Sequence, residues 1–191
     1  MVRYNTGRYI KAIAVLSITI FLAIAFLRNN FPYRNFGSAW EDIATTVTIV
    51  TIICYFFVLW AWKWRIFQGW LVPFPFLSGK WTGEINTKFN SELKTIFVEV
   101  FIIHRFFNIQ IKVKTGESKS VSTCGSFDID EERGLKQLLY FYQNTPKAAV
   151  RNHSEIHYGA VRLEISDDLK TLEGDYWTSR NTTGDIKLTK E

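Results

Sequence analysis

The chain has 191 residues, 47% of them hydrophobic and 16% aromatic, enough for one small globular domain with an appendage and too short for two catalytic domains. With 4 Pro and 11 Gly beside 16 Phe, 8 Tyr and 7 Trp, it is neither disordered nor collagen-like. The net charge of +5 lies wholly in residues 1–72, where seven Lys and Arg face only Glu41 and Asp42, so the balanced remainder has no surplus of cations with which to track DNA or RNA phosphates.

Two apolar runs come first. Residues 12–27 are uncharged, and with Tyr9, Ile10 and a snorkelling Lys11 they approach a bilayer span; residues 43–62 add twenty uncharged positions, roughly 30 Å of helix. We expect helices over about 9–27 and 43–62, forming a membrane hairpin within residues 1–72. A cleaved signal peptide is disfavoured, because no small-x-small site follows Leu27 and a second span does. Arg3, Arg8 and Lys11 before the first span, with Lys63 and Arg65 after the second, orient both termini toward the cytoplasm. Phe31, Tyr33, Phe36 and Trp40 on one side, and Trp60, Trp62, Trp64, Phe67 and Trp70 on the other, suit interfacial anchors. Thr45, Thr48, Thr51 and Tyr55 fall on one helical stripe. Their hydroxyls either bond back to the helix or pack on the first span, or the stripe serves assembly between copies of the hairpin.

Pro73 and Pro75 end the helical part, and the period then changes to two. Residues 78–86, 93–103, 106–114, 120–129, 135–143, 155–165, 172–179 and 184–189 are rich in β-branched and aromatic side chains and are separated by turn signals. Eight such strands in a meander leave two open edges unless they close, so residues 73–191 are expected to form an all-β, eight-stranded up-and-down (lipocalin-like) barrel. In the seventh segment Leu172, Gly174, Tyr176, Thr178 and Arg180 share the apolar face and point inward, giving an interior that becomes polar toward one end. Trp81 in GKWTG reads as the plug of the floor. In the fifth segment Tyr140 and Tyr142 share one face, Leu139 and Phe141 the other, and either could face inward.

Enzyme signatures are missing: there is no G-x-S-x-G, H-E-x-x-H, Walker A or G-x-G-x-x-G, and no nucleophile with a neighbouring base. Cys54 lies in a span and Cys124 in a strand, so no disulfide is expected. His153, Glu155 and His157 alternate on one face, yet without an identifiable third or fourth ligand and second shell they suggest no metal.

Two N-terminal spans, a Pro-x-Pro junction, GKWTGEI, YFYQNTP, HYGAVRLEI and LEGDYWTSRNTTGDIKL, in that order, resemble the two-transmembrane β-barrel effectors of bacterial cyclic-oligonucleotide antiphage signalling (CBASS), partners of CD-NTase enzymes. The resemblance implies no enzyme and no cofactor. It implies a multi-pass inner-membrane protein whose cytoplasmic barrel binds a cyclic dinucleotide made by a cognate CD-NTase. It further implies self-association and disruption of the lipid bilayer, an abortive infection. Two bases and two phosphates call for aromatic and arginine side chains. On that basis Tyr140, Tyr142 and Tyr176 are expected at base faces, Arg180 at phosphate, and Asn144, His157 and Thr178 at polar edges. The rival is a membrane-tethered lipocalin-like carrier of a fatty acid or other apolar ligand, whose cavity would lack a cationic end.

Overall fold

The computed structural model describes residues 6–33, 35–89, 92–130, 132–152 and 154–191. The chain falls into two compact units, one ending at Pro73 and one spanning Phe74–Glu191.

The first unit is a helical pair, α1 (Thr6–Leu27) and α2 (Phe36–Leu59), followed by short 3-10 turns at Ala61–Lys63 and Arg65–Phe67. Both helices are long and apolar enough to cross a membrane. The second begins earlier than expected because Asn35 caps it, its side chain accepting from the Ser38 N–H at 2.9 Å, so the polar stretch before Ile43 is helical too. It ends at Leu59, three residues before the expected limit.

Its buried positions are Asp42, Thr46 and Val50, while Ile10, Val15, Ile18, Leu22, Val47 and Ile52 are exposed. Asp42, fully buried, accepts from Arg28 Nη1 at 2.9 Å, Asn30 Nδ2 at 3.0 Å and the Tyr33 hydroxyl at 2.9 Å. Three donors on one carboxylate, one of them cationic, compensate its desolvation and tie the connecting loop to α2. Thr45, Thr48 and Thr51 donate to the carbonyls of Glu41, Ala44 and Val47, four residues back on their own helix. Thr48, Thr51 and Tyr55 are exposed, away from the buried face of α2.

The second unit is a closed barrel of eight antiparallel strands in sequence order: β1 (Gly79–Phe89), β2 (Glu92–Arg105), β3 (Asn108–Lys114), β4 (Ser118–Asp130), β5 (Leu135–Pro146), β6 (His157–Ile165), β7 (Thr171–Thr178) and β8 (Thr183–Lys190). Closure comes from the β1–β8 ladder, running from Trp81↔Lys190 to Thr87↔Gly184. No edge is left to template pairing with another chain. One irregularity matters: a register shift between Ser122 and Cys124 exchanges the faces of β4. Before it Ser118, Ser120 and Ser122 turn inward; beyond it Phe127, buried, does.

One end of the interior is solid. Leu138, Leu163, Leu172 and Leu188 are buried there with Val100, Ile111 and the completely buried Trp81. Trp81 donates from Nε1 to the Leu77 carbonyl at 3.1 Å, which fixes the indole across the floor without an unmet donor. Phe74 stacks on Phe127 at 5.6 Å, and the Leu77 N–H donates to His104 Nδ1 at 3.3 Å, so His104 is a satisfied core histidine.

Candidate functional site

The open end holds a cavity of about 690 Å³, lined by residues from all eight strands and the adjoining turns. All seven residues expected at the ligand, Tyr140, Tyr142, Asn144, His157, Tyr176, Thr178 and Arg180, line this one space. The reason is parity. Even-numbered residues of β5 and β7 point inward, odd-numbered ones of β6 do, and the ladders Tyr140↔Val161↔Tyr176 and Asn144↔His157 bring them side by side. The ambiguity in β5 resolves the same way: Tyr140 and Tyr142 are buried, whereas Phe141 is exposed.

The aromatic lining is positioned by glycine. Tyr142 pairs across the ladder with Gly159, and Tyr176 with Gly184. A β-carbon on Gly159 would collide with the Tyr142 ring, and one on Gly184 would collide with Tyr176 and the Asn86 carbonyl. Each ring therefore lies close over bare glycine backbone at the cavity wall. Tyr140 and Tyr142 sit 6.2 Å apart at 52°. Burial pushes the Tyr142 phenol up to about 12, against the pull of Arg180, and pushes Tyr140 higher still. Both phenols are neutral donors at physiological pH.

Polar groups gather at the rim. Arg180, in the β7–β8 turn, donates from Nη1 to Ser154 Oγ at 3.3 Å. Thr178 spends its hydroxyl on that turn: it accepts from the Arg180 and Thr182 N–H groups at 3.2 and 3.3 Å and shares a 2.6 Å hydrogen bond with the Thr182 hydroxyl. Its part in the site is to hold the hairpin that presents Arg180. His157 is buried, and that burial, aided by the charge of Arg180, holds its ring below the usual histidine range despite the bond from Nδ1 to the Glu155 carbonyl.

Several lining residues were not anticipated. Lys94 follows from the parity of Ile96, Val98 and Val100 and adds a second cation to the lining. Ser118 and Ser120 were hidden by the bulge, which breaks the alternation of β4. Glu117 comes from the β3–β4 turn. Trp81 does not line the cavity. His153 lies outside the described residues, and among the described residues no group of three or more His, Cys, Asp and Glu side chains converges on a point.

Comparison with known proteins decides the family. The model described as "Cap15, cyclic dinucleotide receptor domain" matches residues 72–190, the whole of the barrel. The chain belongs to the Cap15 family. The protein is also similar to CD-NTase-associated protein 15 of Staphylococcus schleiferi, 33% identical over 153 residues that cover 79% of this chain and 80% of that protein. The CBASS effectors that the order of motifs resembles are this family, and the assignment places the barrel among cyclic dinucleotide sensors of antiphage defence.

Proposed function

We propose that the barrel binds a cyclic dinucleotide in the open-end cavity, and that occupancy drives the chain to self-associate and disrupt the inner membrane through its helical hairpin. The carrying observation is the convergence of three tyrosines, an arginine and a lysine on one cavity of about 690 Å³. Two bases can stack on rings held over glycine, and two phosphates can be met by Arg180 and Lys94. Asn144, His157 and Thr178 complete the polar lining. A fatty-acid carrier needs neither several aromatic faces nor a rim with two cations.

In this reading residues 1–72 are a membrane hairpin, residues 73–191 a cytoplasmic sensor, and both termini are cytoplasmic. The exposed stripe of Thr48, Thr51 and Tyr55, continuing Thr45, serves contacts between hairpins. Ligand can favour assembly only by as much as it prefers the assembling conformer. The protein acts without catalysis or cofactor; the cyclic dinucleotide from a cognate CD-NTase is its trigger. The test is thermal melting of the full chain in lipid nanodiscs with cyclic dinucleotides and with fatty acids. A cyclic dinucleotide at a hundred times its dissociation constant should stabilise the barrel by about 2.7 kcal/mol. Stabilisation by fatty acids alone would favour the carrier.

A further inference from the structure

Three neighbouring strands place a polar chain across the cavity wall. Ser120 on β4, Asn144 on β5 and His157 on β6 are successive ladder partners. Asn144 and His157 are 7% and 8% exposed, so what their polar atoms meet is decided inside the cavity.

The Ser120 hydroxyl donates to Asn144 Oδ1 at 2.8 Å. That bond turns the amide oxygen toward β4 and leaves Nδ2, with two N–H groups, without a protein acceptor among the described residues. His157 Nδ1 lies 2.9 Å from the Glu155 carbonyl oxygen, which can only accept. The ring must therefore donate from Nδ1, and in its neutral form it carries a bare lone pair on Nε2. Among the described residues nothing donates to that lone pair. One donor and one acceptor, on two buried residues that line the cavity, thus stand side by side, each oriented by a protein neighbour and each without a protein partner among the described residues.

We propose that Asn144 and His157 read one base of the bound cyclic dinucleotide as a fixed pair, Asn144 donating from Nδ2 and His157 accepting at Nε2. This rests on the receptor reading above and specifies which atoms recognise what. The edges of nucleobases set a donor next to an acceptor, which is the complement of this pair. A phosphate offers acceptors alone and would face the Nε2 lone pair. Phosphate recognition belongs to Arg180 and Lys94, and His157 works as a neutral ring.

Acid should then weaken binding, because a protonated His157 turns its acceptor into a donor. The charged and titratable groups around it are Arg180 from the β7–β8 turn, Tyr142 from β5 and Tyr176 from β7, with Glu117 and Lys94 elsewhere on the cavity wall. The experiment measures the affinity of the full chain in nanodiscs for cyclic di-AMP, cyclic di-GMP and cyclic di-UMP between pH 7.5 and 5, for wild type, His157→Gln and Asn144→Asp. For the dinucleotide that binds wild type, Kd should rise toward about tenfold per pH unit once His157 titrates. His157→Gln, which keeps an acceptor but cannot titrate, should bind with a profile flatter than wild type, any slope it keeps being the contribution of Glu117. Asn144→Asp, which replaces the donor by an acceptor, should lose binding at every pH.

Affinity that strengthens in acid would make His157 a cationic phosphate ligand and overturn the assignment. An unchanged pH slope in His157→Gln would do the same. Selective labelling of the three histidines gives a readout without ligand: nitrogen chemical shifts of His157 should report the Nδ1–H tautomer, and the Nε2–H tautomer would overturn the pair while leaving the receptor reading intact. Failure of all three dinucleotides to bind at any pH overturns both.

Discussion

The two ends of the barrel interior are built from the same strands and differ only in what those strands carry. At the closed end β5, β6, β7 and β8 supply Leu138, Leu163, Leu172 and Leu188; at the open end they supply Asn144, His157, Thr178 and Gly184. On β5 the two levels are six residues apart, roughly 20 Å along the strand. Alternation decides which residues face inward, and residue choice along the inward face decides what that level does. Leucine fills the closed end with side chains at most 1% exposed and contributes stability through their burial. Glycine, serine and asparagine are too small to fill the open end, which keeps a cavity of about 690 Å³ with polar groups on its wall.

The harshest way to break that contrast is to empty the closed end. Trp81→Ala removes a completely buried side chain from the floor and should cost about 3–5 kcal/mol of barrel stability. Chemical denaturation followed by circular dichroism checks this. A variant as stable as wild type that has lost ligand affinity would make the floor part of the site.

The converse change, Arg180→Ala at the exposed rim, should leave the denaturation midpoint in place. It should weaken cyclic dinucleotide binding about ten- to a hundredfold, the loss of one or two hydrogen bonds to a charged group. Ligand-dependent killing should disappear with it while the protein still inserts. Killing at wild-type potency would remove Arg180 from the site.

A finer probe uses the glycines. Gly159→Ala meets the far end of the Tyr142 side chain, which can swing into the cavity, so binding should fall while stability barely changes. Gly184→Ala meets the Asn86 carbonyl as well, and a backbone atom cannot swing away, so this variant should be the less stable of the two. Comparing their melting temperatures and affinities separates ring placement from strand packing. Equal stability would mean that the β1–β8 ladder gives way at Gly184.

These contrasts also mark what was legible in the chain. Period-two runs between turn signals specify eight strands, and the need to bury their edges specifies closure, so the barrel followed from pattern alone. The inward face of β7 was readable because leucine and acid occupy opposite parities at Leu172 and Glu173. In β5 both parities are apolar, Tyr140 and Tyr142 against Leu139 and Phe141, and only the three-dimensional ladder decides between them. Ser120 was hidden for a different reason: a bulge moves the inward face from even to odd positions, and no local signal in SVSTCGS announces the shift. The start of α2 was misplaced because a search for apolar runs does not weigh a capping asparagine. Ring-over-glycine pairs join residues distant in sequence, so they emerge only with register.

The smallest expected effect lies outside the barrel altogether and sharpens the comparison by leaving both ends alone. Thr48 and Thr51 each donate to a carbonyl four residues earlier on α2 and face away from its buried side. Replacing both by leucine removes no bond between helices of one chain and keeps the surface apolar, so barrel melting and cyclic dinucleotide affinity should match wild type. Polar contacts between helices in membranes contribute about 0.6 kcal/mol on average, a modest term for one pair of hairpins. Repeated through an assembly of many copies, that term accumulates. Dye leakage from liposomes carrying Thr48→Leu with Thr51→Leu should therefore require more ligand-bound protein than wild type, although each molecule senses ligand equally well. Leakage identical to wild type would reduce the stripe to hydroxyls satisfied by their own helix, and assembly would then have to use another face of the hairpin.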